Sequence, residues 1–109
     1  MDLAGCTSKE LDARKRAGAD FVLLDVRTDE ELAIASLPDC IHIPLDELES
    51  RIDELRSHEE REIVVLCHHG GRSAFAQQML IGRGYSNVTN LVGGIDRYAV
   101  EVDPRVRRY

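Results

Sequence analysis

Seven consecutive residues, Cys67-His68-His69-Gly70-Gly71-Arg72-Ser73, place a nucleophile beside the kinds of group that activate one. A cysteine reacts as its thiolate, so it needs surroundings that favour negative charge. Gly70 and Gly71 allow backbone angles that turn successive N–H groups inward, and a helix beginning here adds its partial positive charge. Arg72 supplies a permanent positive charge, while His68 and His69 supply adjustable ones. Taken alone, Cys67 would be read as a small apolar residue ending a buried strand, as most free cysteines are, and Ser73 as an ordinary helix N-cap. The glycine-containing loop around Cys67 turns that reading toward chemistry.

The distribution of charge points the same way. The formal net charge of −6 argues against nucleic-acid binding as the main task. Seventeen of the 20 carboxylates lie at or before Glu62 and three at or after Asp96, so residues 63–95 carry none while keeping Arg72, Arg83, His68 and His69. Buried strands exclude charge and explain part of this gap; a site for an anion explains the rest.

Several elements must position the loop. Thr7 with Glu10 has the form of a capping box and opens a helix through Leu11, Ala13 and Ala17 to Gly18. Phe21 to Val26 is an apolar run of strand length, followed by a second box, Thr28 with Glu31, opening a short helix. Ile41-His42-Ile43 reads as a strand ending at Pro44, after which Leu45, Leu48, Ile52 and Leu55 recur at helical spacing. Ile63 to Leu66 is the next buried strand and runs straight into Cys67. The pattern after Ser73 (Phe75, Ala76, Met79, Leu80) is helical as far as Gly82-Arg83-Gly84. Val88 to Leu91 is a last strand, with a short helix after Gly93-Gly94 and an irregular tail from Asp103. Strands and helices alternating at this pace imply one α/β domain over residues 1–109, with a mainly parallel sheet and helices on both faces. Such sheets bind ligands at the carboxyl ends of their strands, where Cys67 lies, and a cysteine there is expected to be buried only in part.

The length suits one domain, and 43% hydrophobic residues suffice for one core. No run approaches the roughly 20 apolar residues of a membrane helix, and Met1-Asp2-Leu3-Ala4-Gly5 lacks a basic region followed by an apolar one, so a soluble, cytoplasmic protein is expected. Cys6, Cys40 and Cys67 are odd in number and widely spaced, suggesting neither a disulfide scaffold nor a metal site.

The loop resembles that of the rhodanese-like sulfurtransferase family, C-x-x-G-x-R-[ST], matched here by Cys67, Gly70, Arg72 and Ser73. The resemblance extends to Leu24-Asp25-Val26-Arg27 with Glu30 and Glu31, to Ile41-His42-Ile43-Pro44-Leu45, to Gly84-Tyr85-Ser86-Asn87-Val88 and to Gly93-Gly94-Ile95. Val102-Asp103-Pro104 with Tyr109 also looks like rhodanese domains that terminate E1-like adenylyltransferases serving sulfur-carrier proteins.

The resemblance implies that Cys67 is the sulfur-accepting nucleophile and that His68, His69, Gly70, Gly71, Arg72 and Ser73 cradle it. Asp25 and Arg27 would support the loop's neighbourhood, with a buried or half-buried ion pair as their plainer reading; His42 is expected to be structural, and Cys6 and Cys40 to have no role. Sulfur would pass from thiosulfate or a low-molecular-weight persulfide through a Cys67 persulfide to cyanide or a thiol, with no metal or organic cofactor. The implied partners are a small anionic donor and a protein acceptor, without nucleic acid or membrane.

Two departures stand out: Ala35-Ser36-Leu37-Pro38-Asp39-Cys40 replaces the family's Gly-His-Ile-Pro-Gly-Ala, and Tyr98 stands where tryptophan is usual. A cysteine phosphatase or arsenate reductase is a rival reading, but those loops place five residues between cysteine and arginine, against four here. A persulfide-carrier or partner-docking module is a second alternative.

Overall fold

The computed structural model describes residues 3–109; Met1 and Asp2, the start of the segment read above for a leader, lie outside the described residues. Five strands form one sheet in the order β1-β5-β4-β2-β3, and every pair is parallel. The strands are β1 (Gly5–Cys6), β2 (Phe21–Asp25), β3 (Cys40–His42), β4 (Glu62–Leu66) and β5 (Val88–Leu91). The helices are α1 (Ser8–Arg16), α2 (Asp29–Ile34), α3 (Leu45–Arg51), α4 (Gly71–Gly82) and α5 (Gly94–Glu101).

The central pair β2 and β4 runs in register with Leu24 beside Val65 and Asp25 beside Leu66. Both strands are continuous apolar runs because each is covered on both faces. Successive side chains alternate between two cores. Leu24 and Val65 pack with Leu48 of α3 and with Ala76 and Leu80 of α4, whereas Leu23 and Val64 pack with Leu11 of α1 and with Ile95 and Tyr98 of α5. Helices therefore cover both faces, as the alternation of elements implies.

Both capping boxes form: the hydroxyls of Thr7 and Thr28 accept the backbone N–H of Glu10 and Glu31, whose carboxylates accept in return. The apolar spacing from Leu45 to Leu55 does not give one continuous helix, because α3 tightens at Ile52 into a 3-10 segment, Ile52–His58. Nor does the helix after the cysteine loop begin with Ser73 as its cap. Gly70 adopts the left-handed conformation at φ 109° and takes the cap position, so α4 starts at Gly71 and Ser73 is its third residue. The edge strand β1 has no counterpart in the sequence reading, since two residues, one of them glycine, carry no periodicity. Among the described residues no helix is long and apolar enough to cross a membrane, and no cluster of His, Cys, Asp or Glu could hold a metal ion.

Candidate active site

Cys67 follows the last residue of β4, at the carboxyl edge of the sheet, and is 1% exposed. The expectation of partial burial is therefore wrong, and the cause is a segment distant in sequence. The turn between β5 and α5 closes over the loop, and the N–H groups of Ile95 and Asp96, in the first turn of α5, donate to the carbonyls of Cys67 (2.9 Å) and His68 (3.1 Å). Gly94 makes this approach possible. A Cβ on Gly94 would lie 2.4 Å from the carbonyl oxygens of both Cys67 and His68, and its φ of 62° is itself left-handed.

With its carbonyl pinned from behind, Cys67 presents Sγ to the start of α4. The Gly70 N–H donates to Sγ at 3.0 Å and the Ser73 N–H at 3.4 Å. Ser73 occupies the third helical position, whose N–H is ordinarily satisfied by an N-cap side chain. Gly70 has none to offer, so the sulfur serves as the cap. A thiolate accepts such bonds more strongly than a thiol, so charge on the sulfur and capping of α4 reinforce each other.

The Ser73 hydroxyl stands 3.3 Å from Sγ and also reaches Asn90 Oδ1 (2.5 Å) and the Gly70 carbonyl (3.2 Å). It has one proton to give, and the short bond to Asn90 claims it in this arrangement. The Asn90 amide donates to the same Gly70 carbonyl at 3.3 Å, so β5 braces the left-handed turn from its far side.

Charge reaches the loop from α2. Arg72 does not point an unpaired guanidinium at the sulfur: its two terminal nitrogens bind both oxygens of Glu31, at 2.5 and 2.8 Å. The Arg72 guanidinium holds the Glu31 carboxyl well below the usual carboxylate range. The carboxylate-free stretch 63–95 is thus met by a carboxylate from outside it. The sequence shows Glu31 as the partner of Thr28 in a capping box and within the block resembling the family, not as a partner of Arg72, and it performs both tasks.

Asp25 and Arg27 form an ion pair with both side chains 0% exposed, closed by bonds of 2.7 to 3.1 Å. Arg27 also donates to the Ala35 carbonyl (2.9 Å) and to the Tyr109 hydroxyl (3.0 Å), which in turn donates to Glu31 (2.6 Å). Burial, reinforced by the bond to Glu31, pushes the Tyr109 phenol up to about 12. Side-chain hydrogen bonds thus link the pair to Arg72 of the loop through Tyr109 and Glu31. His42 binds the Arg27 carbonyl at 2.7 Å, in keeping with a structural part. The His68 ring stacks on Tyr109, centroids 3.8 Å apart and planes at 7°, and His69 lies on the rim with Nδ1 3.9 Å from Asp96.

Among the residues singled out from sequence, Cys67, Gly70 and Ser73 meet at the sulfur. Gly71 opens α4 with no atom within 4 Å of where its Cβ would stand, so that side is open. Glu31, Asn90, Gly94 and Tyr109 complete the setting. Burial pushes the Cys6 thiol up and that of Cys40 up to about 12.

The family model for the rhodanese-like domain matches residues 7–101. A "Sulfurtransferase" of Allochromatium vinosum is 35% identical over 92 residues, covering 84% of each chain. The "Adenylyltransferase and sulfurtransferase UBA4" of Candida albicans is 31% identical over 107 residues, covering 93% of this chain and 24% of the relative. The chain thus spans about a quarter of the length of that relative. The crystal structure of a rhodanese-related protein from Thermoplasma volcanium superposes with a TM-score of 0.82 at 30% identity, covering 97% of this chain and 99% of that one.

Proposed function

This chain belongs to the rhodanese-like domain family, whose members here include sulfurtransferases, and we propose that it transfers sulfane sulfur through a persulfide on Cys67. The observation that carries the reading is the convergence of the Gly70 and Ser73 N–H groups on Cys67 Sγ. In the first half-reaction the Cys67 thiolate attacks the outer sulfur of thiosulfate or of a low-molecular-weight persulfide. The donor's S–S bond breaks, and sulfite or a thiolate leaves with the electron pair. The persulfide on Cys67 carries the negative charge one atom further out, within the same ring of N–H donors. In the second half-reaction cyanide or a thiolate attacks the outer sulfur, and the Cys67 thiolate departs.

The spacing of four residues between Cys67 and Arg72 supports sulfur transfer over phosphate or arsenate chemistry, because a loop this short, filled by a sulfur that already takes two N–H donors, leaves little room for a tetrahedral oxyanion. We assign His68, His69, Gly71 and Arg72 to the donor-facing wall. Arg72 would serve an anionic donor by exchanging one oxygen of Glu31 for one of the donor's. A protein acceptor in a reducing, cytoplasmic setting fits the relatives that pair a sulfurtransferase with an adenylyltransferase. A carrier that serves one such partner is the second reading, favoured by the pairing of Arg72 with Glu31, which occupies the guanidinium that a free anion would need.

Mass spectrometry after incubation with thiosulfate tests the proposal. One sulfur mass, removable by dithiol, is expected on the native chain and on Cys6→Ala and Cys40→Ala. Loading of a Cys67→Ser protein would overturn the assignment, and loading by a protein-bound persulfide but not by thiosulfate would select the carrier reading.

A further inference from the structure

Residues Arg108 and Tyr109 form a short arm across the mouth of the cysteine loop. Arg108 grips Asp96 with two bonds, 2.9 and 3.2 Å, and Asp96 belongs to the first turn of α5, whose N–H groups hold the carbonyls of the loop. Tyr109 then crosses to α2. Its ring lies flat on His68 and its hydroxyl sits between Arg27 and Glu31. The arm so ties α5 to α2 over the residue that follows the nucleophile. Beneath it, His68 Nε2 is fully buried and has no hydrogen-bond partner among the described residues.

Two features distinguish this contact from ordinary core packing. The Tyr109 side is not sealed, since the residue is 37% exposed, so nothing outside it must move for it to leave. Its departure also strands no charge: Arg27 keeps Asp25 and the Ala35 carbonyl, and Glu31 keeps both bonds to Arg72. Breaking an ion pair in the interior is costly because one charge remains unpaired; here every charge retains its partner. The clasp is therefore specific when closed and inexpensive to open.

Resting on the sulfur-transfer reading, we propose that Tyr109 is a specificity-determining residue. Stacked on His68 and clasped by Arg27 and Glu31, it screens the cysteine loop so that small reagents pass and bulky thiol acceptors must first displace it. The hydroxyl stays a donor to Glu31, because burial holds the phenol at about 12 and Arg72 keeps the carboxylate ionised.

The experiment compares alkylation of Cys67 by iodoacetamide and by a fluorescein maleimide in a chain carrying Cys6→Ala and Cys40→Ala. The ratio of maleimide to iodoacetamide rate should rise about tenfold in Tyr109→Ala, which removes both the stack on His68 and the hydroxyl's bonds to charged groups. Tyr109→Phe, which keeps the stack and loses the hydroxyl, should fall between, as should Arg108→Ala, which loosens the arm without touching the ring. An unchanged ratio in all three, or equal acceleration of both reagents, would overturn the gate; the two milder variants carry the test if Tyr109→Ala fails to fold. Alkylation needs no sulfur donor, so a chain that never loads sulfur yet shows the ratio change loses the proposed function and keeps the gate. One that loads sulfur with an unchanged ratio does the reverse.

Discussion

Cys6 and Cys67 stand at equivalent places in the sheet and do different things. Each lies at the carboxyl end of a parallel strand that leads into a helix, and each is 1% exposed. They face opposite cores, Cys6 the one under α1 and α5, Cys67 the one under α3 and α4. The decisive difference is the connection. A single residue, Thr7, separates Cys6 from α1, and its hydroxyl takes the N–H of Glu10 at the third helical position. Three residues separate Cys67 from α4, enough to bend back through the left-handed Gly70 and bring the equivalent N–H, that of Ser73, onto the sulfur. One cysteine is capped out of its helix start by a threonine; the other is the cap. The two thiols are equally buried and differ in the N–H donors aimed at the sulfur.

The largest expected effect comes from removing what pins Cys67. In Gly94→Ala the new Cβ would meet two carbonyl oxygens at 2.4 Å, and neither can yield without moving the loop. A stability loss of about 3 kcal/mol or more is expected, together with loss of sulfur loading. Gly18→Ala is the control: φ is 70° there as well, but no atom lies within 4 Å of the added Cβ, so only the backbone cost of about 1 kcal/mol should appear, with loading intact. Urea midpoints and mass-spectrometric loading separate the two. Equal losses would mean that backbone strain alone, and not the contact with the Cys67 and His68 carbonyls, makes Gly94 necessary.

How much of this was legible in the sequence follows from which contacts are local. The boxes Thr7/Glu10 and Thr28/Glu31 and the runs around Leu24 and Val65 are set by neighbours three or four residues apart, and each was readable. The cysteine loop was readable as a turn between a strand end and a helix start. Its depth was not, because it depends on Ile95 and Asp96, nearly thirty residues on. Nor was the Arg72–Glu31 pair, which joins α4 to α2, or the brace from Asn90. Asp39, where the resembled family has glycine, adopts φ 62°, so the chain keeps the left-handed turn and accepts an aspartate in it.

A smaller effect separates a chain with Cys6 and Cys40 from one without them. Burial raises Cys6, and raises Cys40 to about 12. A thiol that stays protonated in the fold while the unfolded chain ionises it near 9.0 lets the unfolded state lose protons first. Stability should be level below that value and fall as pH rises through it, by up to ~1.4 kcal/mol per pH unit for each such group and less where solvent screens it. Replacing both Cys6 and Cys40 with alanine should flatten the alkaline limb of the urea midpoint from about pH 9 upward. A limb as steep as that of the native chain would show that other groups govern it.

The smallest effect tests whether the two helix starts are equivalent in kind. Thr7→Ala removes the hydroxyl that accepts the Glu10 N–H at 3.1 Å and leaves the rest of α1 in place. The cost should be about 1 kcal/mol, the ordinary worth of an N-cap side chain. It should appear wholly in stability, because Thr7 serves only its own helix, and the parallel pairing of Cys6 with Leu91 does not depend on its hydroxyl. Sulfur loading of Cys67 should be unchanged at temperatures well below the unfolding midpoint. At the other helix start the corresponding acceptor is Sγ itself, so stability and chemistry cannot be changed separately there. If Thr7→Ala slowed loading while costing no more than its cap, β1 would have to transmit strain through β5, at Leu91, to the Gly93-Gly94 turn that pins the loop. The two cysteines would then be parts of one device, not two solutions to the same connection.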